Sequence, residues 1–106
     1  MFTDLTIAIG RNVGGAPMSE AHWRQFQDRV TELLSALGSP DRVLHGNSEW
    51  QDVPEDTCVM TWWRDELHDA INTDTVRSMA QALMSIARSE FNQDAIAVTW
   101  GTTAFA

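Results

Sequence analysis

Between Leu5 and Leu37 the apolar residues change their period, and that change limits what the chain can fold into. Leu5, Ile7 and Ile9 alternate with the small residues Thr6, Ala8 and Gly10, the period of two that marks a strand. Gly10, Gly14 and Gly15 then break the chain into a loop from Arg11 to Pro17, and order resumes at Ser19, placed to cap a helix. Met18 precedes that cap and Trp23 occupies the fourth helical position, the spacing of a hydrophobic staple. Trp23, Phe26, Val30, Leu33, Leu34 and Leu37 fall on one stripe of a 3.6-residue helix, with Gln25, Asp28, Arg29 and Glu32 opposite. Gly38 supplies a C-terminal cap and Pro40 forbids continuation.

The remainder repeats the alternation of strand and helix. Residues Arg42 to Trp50 and Thr57 to Arg64 read as strands joined by the hairpin loop QDVPED. The acidic stretch RDELHD reads as a solvated connection. A second helix starts near Asn72 to Asp74, carries Val76, Met79, Ala80, Leu83, Met84, Ala87 and Phe91 at helical spacing, and stops at Asn92. Ala95 to Gly101 forms the last strand. The order β-α-β-β-α-β with right-handed crossovers predicts an α+β, ferredoxin-like domain over residues 1–106, with one four-stranded antiparallel sheet and two helices on a single face. Strands one and three take the centre. The other face then carries Thr6, Ala8, Ala97 and Thr99, plus whichever of Trp62 and Trp63 the register places there. A sheet face bearing tryptophan wants a partner, so a homo-oligomer, a dimer or higher, is expected.

Charge narrows the function classes. Fifteen acids oppose seven bases, all arginine, for a net charge of −8. That balance excludes the basic stripe that a nucleic-acid duplex demands. No apolar run is long enough for a transmembrane helix, and the N-terminus lacks the basic region of a signal peptide, so no membrane partner and a cytoplasmic location are expected. The lone Cys58 has no internal disulfide partner and reads as core.

Arg11 and Asn12 follow the first strand directly, and Gly14 and Gly15 permit a close backbone approach. The loop therefore reads as a contact for a small phosphorylated or nucleotide-like ligand, against the plainer reading of a flexible connection. It is neither a Walker A loop nor a dinucleotide fingerprint. His22, His45 and His68 lack metal-ligand spacing, and Asp65, Glu66 and Asp69 around His68 read as solvated acids, so no metal and no cofactor are expected. Five tryptophans stand without any tyrosine. Adjacent Trp62 and Trp63 on a strand must point oppositely, so at least one faces a ligand or a partner subunit. The expected ligand set is Arg11, Asn12, Gly14, Gly15, His45, Asn47, Trp50, Trp63 and Trp100, with no catalytic residue assigned.

IAIGRN at Ile7 to Asn12, the PMS…W…F helix start from Met18 to Phe26, PEDT at Pro54 to Thr57 and AIAVTWG at Ala95 to Gly101 carry a resemblance. Through them the chain is similar to a group of small proteins of actinobacterial phages, and more distantly to an uncharacterised bacterial domain family. The resemblance implies a phage origin, hence the cytoplasm of an infected bacterial host, and brings no catalytic residues with it. Three functions stay open. One is a non-catalytic protein that sequesters a nucleotide-type host defence signal. Another is a small enzyme of the ferredoxin-like fold. It would be acylphosphatase-like through Arg11 and Asn47, or a cofactor-independent dimeric α+β-barrel type with His45 as base. The third is an acidic inhibitor of a host protein.

Overall fold

In the computed structural model, which describes residues 2–65 and 72–104, the alternation of the first strand becomes the axis of the sheet. The elements are β1 (Phe2–Gly10), a short hairpin of β2 (Asn12–Val13) and β3 (Ala16–Pro17), α1 (Glu20–Leu33), a 3-10 turn (Ser35–Leu37), β4 (Arg42–Trp50), β5 (Val53–Asp65), α2 (Thr73–Phe91) and β6 (Ala97–Thr103). The main sheet is antiparallel in the order β4-β5-β1-β6, so β1 and β5 are central as expected. The expected β-α-β-β-α-β framework is present.

Register decides what each face carries. Leu5 lies opposite Trp62 and Trp100, Ile7 opposite Met60 and Val98, and Ile9 opposite Cys58. Because side chains alternate, all of these point to the same side. There Trp23, Phe26 and Val30 of α1 and Val76, Leu83, Ala87 and Phe91 of α2 close over Leu5, Ile7, Ile9, Cys58, Met60 and Trp62 in one buried cluster, with Val98 packed against it and Trp100 left exposed at the edge. Phe26 and Phe91 stack with ring centroids 4.5 Å apart, joining the two helices. Asp4, Thr6, Ala8 and Gly10 share the opposite face with Trp63, Thr61, Val59 and Thr57.

The tryptophan pair divides as a strand requires. Trp62 is fully buried, and its indole N–H donates to the Gly38 carbonyl at 3.0 Å, tying the sheet to the exit of α1. Trp63 lies on the other face, where its N–H donates to Asp4 at 3.3 Å and the Arg42 guanidinium sits 5.4 Å from its ring centre.

Helix caps follow the sequence closely. Ser19 Oγ accepts from the His22 N–H at 3.1 Å and Asn72 Oδ1 from the Thr75 N–H at 2.8 Å. Asn92 ends α2 in the left-handed region with φ 52°. Four boundaries differ from expectation. The loop after β1 folds back on itself as the β2–β3 hairpin, with Gly14 (φ 58°) and Gly15 (φ 84°) at its tip. The stripe of the first helix runs to Leu37, but the α-helix stops at Leu33 and a 3-10 turn carries the remainder. QDVPED is not a six-residue loop. Trp50 pairs with Val53 across the two-residue turn Gln51-Asp52, whose φ values of 52° and 64° match a tight type I′ hairpin. Neither residue is glycine, so the usual signal was missing. The last strand starts at Ala97 rather than Ala95, because Asn92 to Ile96 form a loop. His68, Glu66 and Asp69 lie outside the described residues.

Two predictions concern this core. Trp62→Ala removes the largest fully buried side chain and orphans the Gly38 carbonyl, so denaturant titration is expected to show a loss of about 4 kcal/mol. Leu44→Ala, half exposed on the opposite face, is expected to change the stability of the isolated monomer by no more than about 0.5 kcal/mol in dilute solution.

Burial also pushes the Cys58 thiol from 9.0 up to about 11. The folded state therefore keeps a proton that the unfolded chain releases, and the thiol's contribution to stability is complete below pH 9 and is lost as pH rises towards 11. The chain has neither lysine nor tyrosine, so no other side chain confounds that window. Unfolding measured across it is expected to show falling stability in the native protein and a flat profile in Cys58→Ala.

Candidate functional site

The face away from the helices is shallow where β1 ends, because its side chains there are small. At its lower end Ala8 and Gly10 of β1, Thr57 of β5, Ser48 of β4 and Ala97 of β6 floor a cleft of about 470 Å³. Three segments wall it: the β2–β3 hairpin with Asn12, Gly14 and Gly15, the β4–β5 turn with Glu49, Gln51 and Val53, and the loop from Asn92 to Ile96.

Glu55 stands where these walls meet. A β-carbon at residue 10 would overlap its carboxylate, so Gly10 is what allows that carboxylate to lie across the end of β1. One oxygen accepts the Asn12 backbone N–H at 2.8 Å. Asn12 is held from two further directions: its side-chain amide donates to the Pro54 carbonyl at 3.0 Å, and its own carbonyl accepts from the buried Gln93 amide at 3.0 Å. Gln93 in turn donates its backbone N–H to Ala87 at the end of α2. The wall is therefore fixed at its base, while the glycine tip stays exposed. On the floor the hydroxyls of Ser48 and Thr57 hydrogen-bond to each other.

The lining has one sign. It carries the carboxylates of Glu49, Glu55 and Asp94, and among the described residues lining it there is no arginine, lysine or histidine. Such a cleft repels phosphate and suits a neutral or cationic ligand rich in N–H donors.

The residues expected at a ligand site separate. Asn12, Gly14 and Gly15 line the cleft. Arg11 turns away from it. Its Nε donates to the Met18 carbonyl at 2.8 Å, and its terminal nitrogen lies 3.1 Å from Asp56 and 3.5 Å from Glu20. An incoming anion at Arg11 would have to displace two carboxylates. His45 and Asn47 sit on β4 opposite Cys58 and Asp56, on the helix side of the sheet and exposed. Trp63 lies towards the far end of the bare face. Trp100 pairs with Leu5 on the helix side of the edge strand, 45% exposed. Trp50 ends β4 opposite Val53, next to the turn that walls the cleft. Among the described residues no group of His, Cys, Asp and Glu is placed to hold a metal.

Sequence reasoning passed over Glu55, Gln93 and the Ser48–Thr57 pair. Only Gly10 hinted at them, since a glycine ending a strand on a face otherwise built of small residues makes room for something else.

No protein-family model matches the chain, and no curated protein matches it significantly in sequence. Its fold does have solved counterparts. A phage SAM lyase in complex with S-methyl-5'-thioadenosine superposes with a TM-score of 0.59 at 18% identity, over 94% of this chain and 80% of that one. A phage SAM lyase in the apo state superposes with a TM-score of 0.58 at 17% identity, over 98% and 91% of the two chains. At such identities the likeness is one of fold.

Proposed function

We propose that this chain is a small-ligand-binding phage protein whose cleft between the β2–β3 hairpin, the β4–β5 turn and the Asn92–Ile96 loop takes a nucleoside-type ligand without phosphate. The observation that carries the reading is the lining: three carboxylates, two hydroxyls and the amide groups of Asn12, Gln51, Asn92 and Gln93, with no basic side chain among the described residues that line it. Exocyclic amines and ribose hydroxyls are donors that such acceptors satisfy, while a phosphate would meet charge of its own sign. In this reading a nucleoside that lacks phosphate replaces the phosphorylated or nucleotide-like ligand expected at Arg11 and the glycine loop. The fold shared with a SAM lyase bound to a thioadenosine adds weight to an adenine nucleoside with a sulfur substituent.

Two fates are compatible with that cleft. Retention matches sequestration of a host metabolite. The fold counterpart favours the second, cleavage of a sulfonium nucleoside. Self-association belongs to the same proposal, because Val43, Leu44 and Val53 on the β4–β5 arm are exposed apolar residues beside an edge strand.

The test is equilibrium dialysis of the full chain against S-methyl-5'-thioadenosine, AMP and S-adenosylmethionine, followed by heat release and chromatography of what was bound. The thioadenosine is expected to bind at least about tenfold more tightly than AMP, a difference of about 1.4 kcal/mol from like-charge repulsion. A compound returned intact indicates retention, and one returned altered indicates cleavage. Preferential binding of AMP that Arg11→Ala abolishes would overturn the proposal and restore a phosphate site at the loop.

A further inference from the structure

We infer that Glu55 reads the charge of the ligand, so that the cleft prefers a nucleoside whose 5' substituent is positively charged over a neutral one of nearly the same shape. The inference rests on the nucleoside reading above and adds which residue discriminates and what it discriminates.

Of the three carboxylates in the lining, Glu49 and Asp94 are exposed, whereas Glu55 is half-buried. A charge withdrawn from bulk water is screened less, so Glu55 acts more strongly on a neighbouring charge than either acid at the rim. Its position is fixed as well. The Asn12 N–H holds one oxygen at 2.8 Å, and the missing side chain at Gly10 supplies the space in which the carboxylate lies. A carboxylate has more acceptor capacity than one N–H consumes, so it can serve the hairpin and a ligand together.

Nothing nearby cancels that charge. Arg11, one residue from both Gly10 and Asn12, is directed to Asp56, Glu20 and the Met18 carbonyl. Among the described residues Glu55 has no ion pair. A fixed, half-buried anion without a counter-ion beside a ligand cleft is an electrostatic vacancy, and a cationic ligand group fills it. The small floor residues Ala8 and Ala97 leave the space shallow enough for a ligand atom to reach it without a side chain intervening.

The decisive comparison uses S-methyl-5'-thioadenosine and its S-methyl sulfonium, which differs by one methyl group and one positive charge, titrated calorimetrically into the full chain. The native protein is expected to prefer the sulfonium by about tenfold, the scale of one charge-assisted contact. Glu55→Gln keeps an oxygen for the Asn12 N–H but loses the charge. It is expected to reduce the preference to about onefold and to change thioether affinity by less than about twofold. Glu49→Gln is expected to keep most of the preference. Should Glu55→Gln lose its circular dichroism signal, Glu55→Asp, which withdraws the carboxylate by one methylene, is expected to reduce the preference several-fold.

A native protein that binds both compounds equally, or a folded Glu55→Gln that keeps the preference, would overturn the role of Glu55 while leaving the nucleoside site standing. A native protein that binds neither overturns the nucleoside reading and this inference with it.

Discussion

The pairing of β1 with β5 is the constraint on which everything else depends. Leu5, Ile7 and Ile9 meet Trp62, Met60 and Cys58 across two central strands, and both helices pack onto the surface those six side chains make. A slip of one residue would turn that surface to water and bring Thr6, Ala8, Thr61 and Trp63 beneath the helices. Trp62 makes such a slip costly twice over, through its buried volume and through the hydrogen bond to Gly38 that only one register allows. The helical side is thus strongly specified, and the opposite face inherits its residues from the same register.

That inheritance creates the cleft. A core-facing strand of large aliphatic residues leaves alternate positions free, and here they are Thr6, Ala8 and Gly10. The face is therefore shallow where β1 ends, and the β4–β5 hairpin continues past it because β5 begins four residues before its pairing with β1. Glu55 belongs to that overhang. The same glycine that ends β1 makes room for the carboxylate, and the carboxylate secures the hairpin that follows. One position ends the strand, makes room for the carboxylate and so helps to anchor the hairpin.

Electrostatics then distinguishes two glycine-loop chemistries that look alike in one dimension. Glycines after a strand, followed by a helix, suggest phosphate capture, and an arginine in the loop strengthens that reading. Here the arginine is neutralised by Asp56 and Glu20 and braces the base of the hairpin, while the cleft beside it is lined with acid. The loop geometry persists but the sign of its field is reversed. The cleft thus joins a carboxylate fixed by a backbone N–H to two more exposed acids.

Much of this architecture is carried by local sequence. The periods of β1, α1 and α2, the caps at Ser19, Asn72 and Asn92, and the opposite orientations of Trp62 and Trp63 all follow from interactions within a few residues, which a single chain displays openly. The glycine loop was legible as a place of interest for the same reason. Its chemistry was not, because charge at a site is a sum over segments distant in sequence. Glu55 reaches Asn12 across 43 positions and Gln93 reaches it across 81, and neither approach leaves a local pattern. Arg11 was visible as a base but its partner Asp56 lies 45 positions away. Periodicity and capping therefore determined the elements and their faces, while the tertiary fold alone decided which carboxylates meet at the cleft and which arginine is turned away from it.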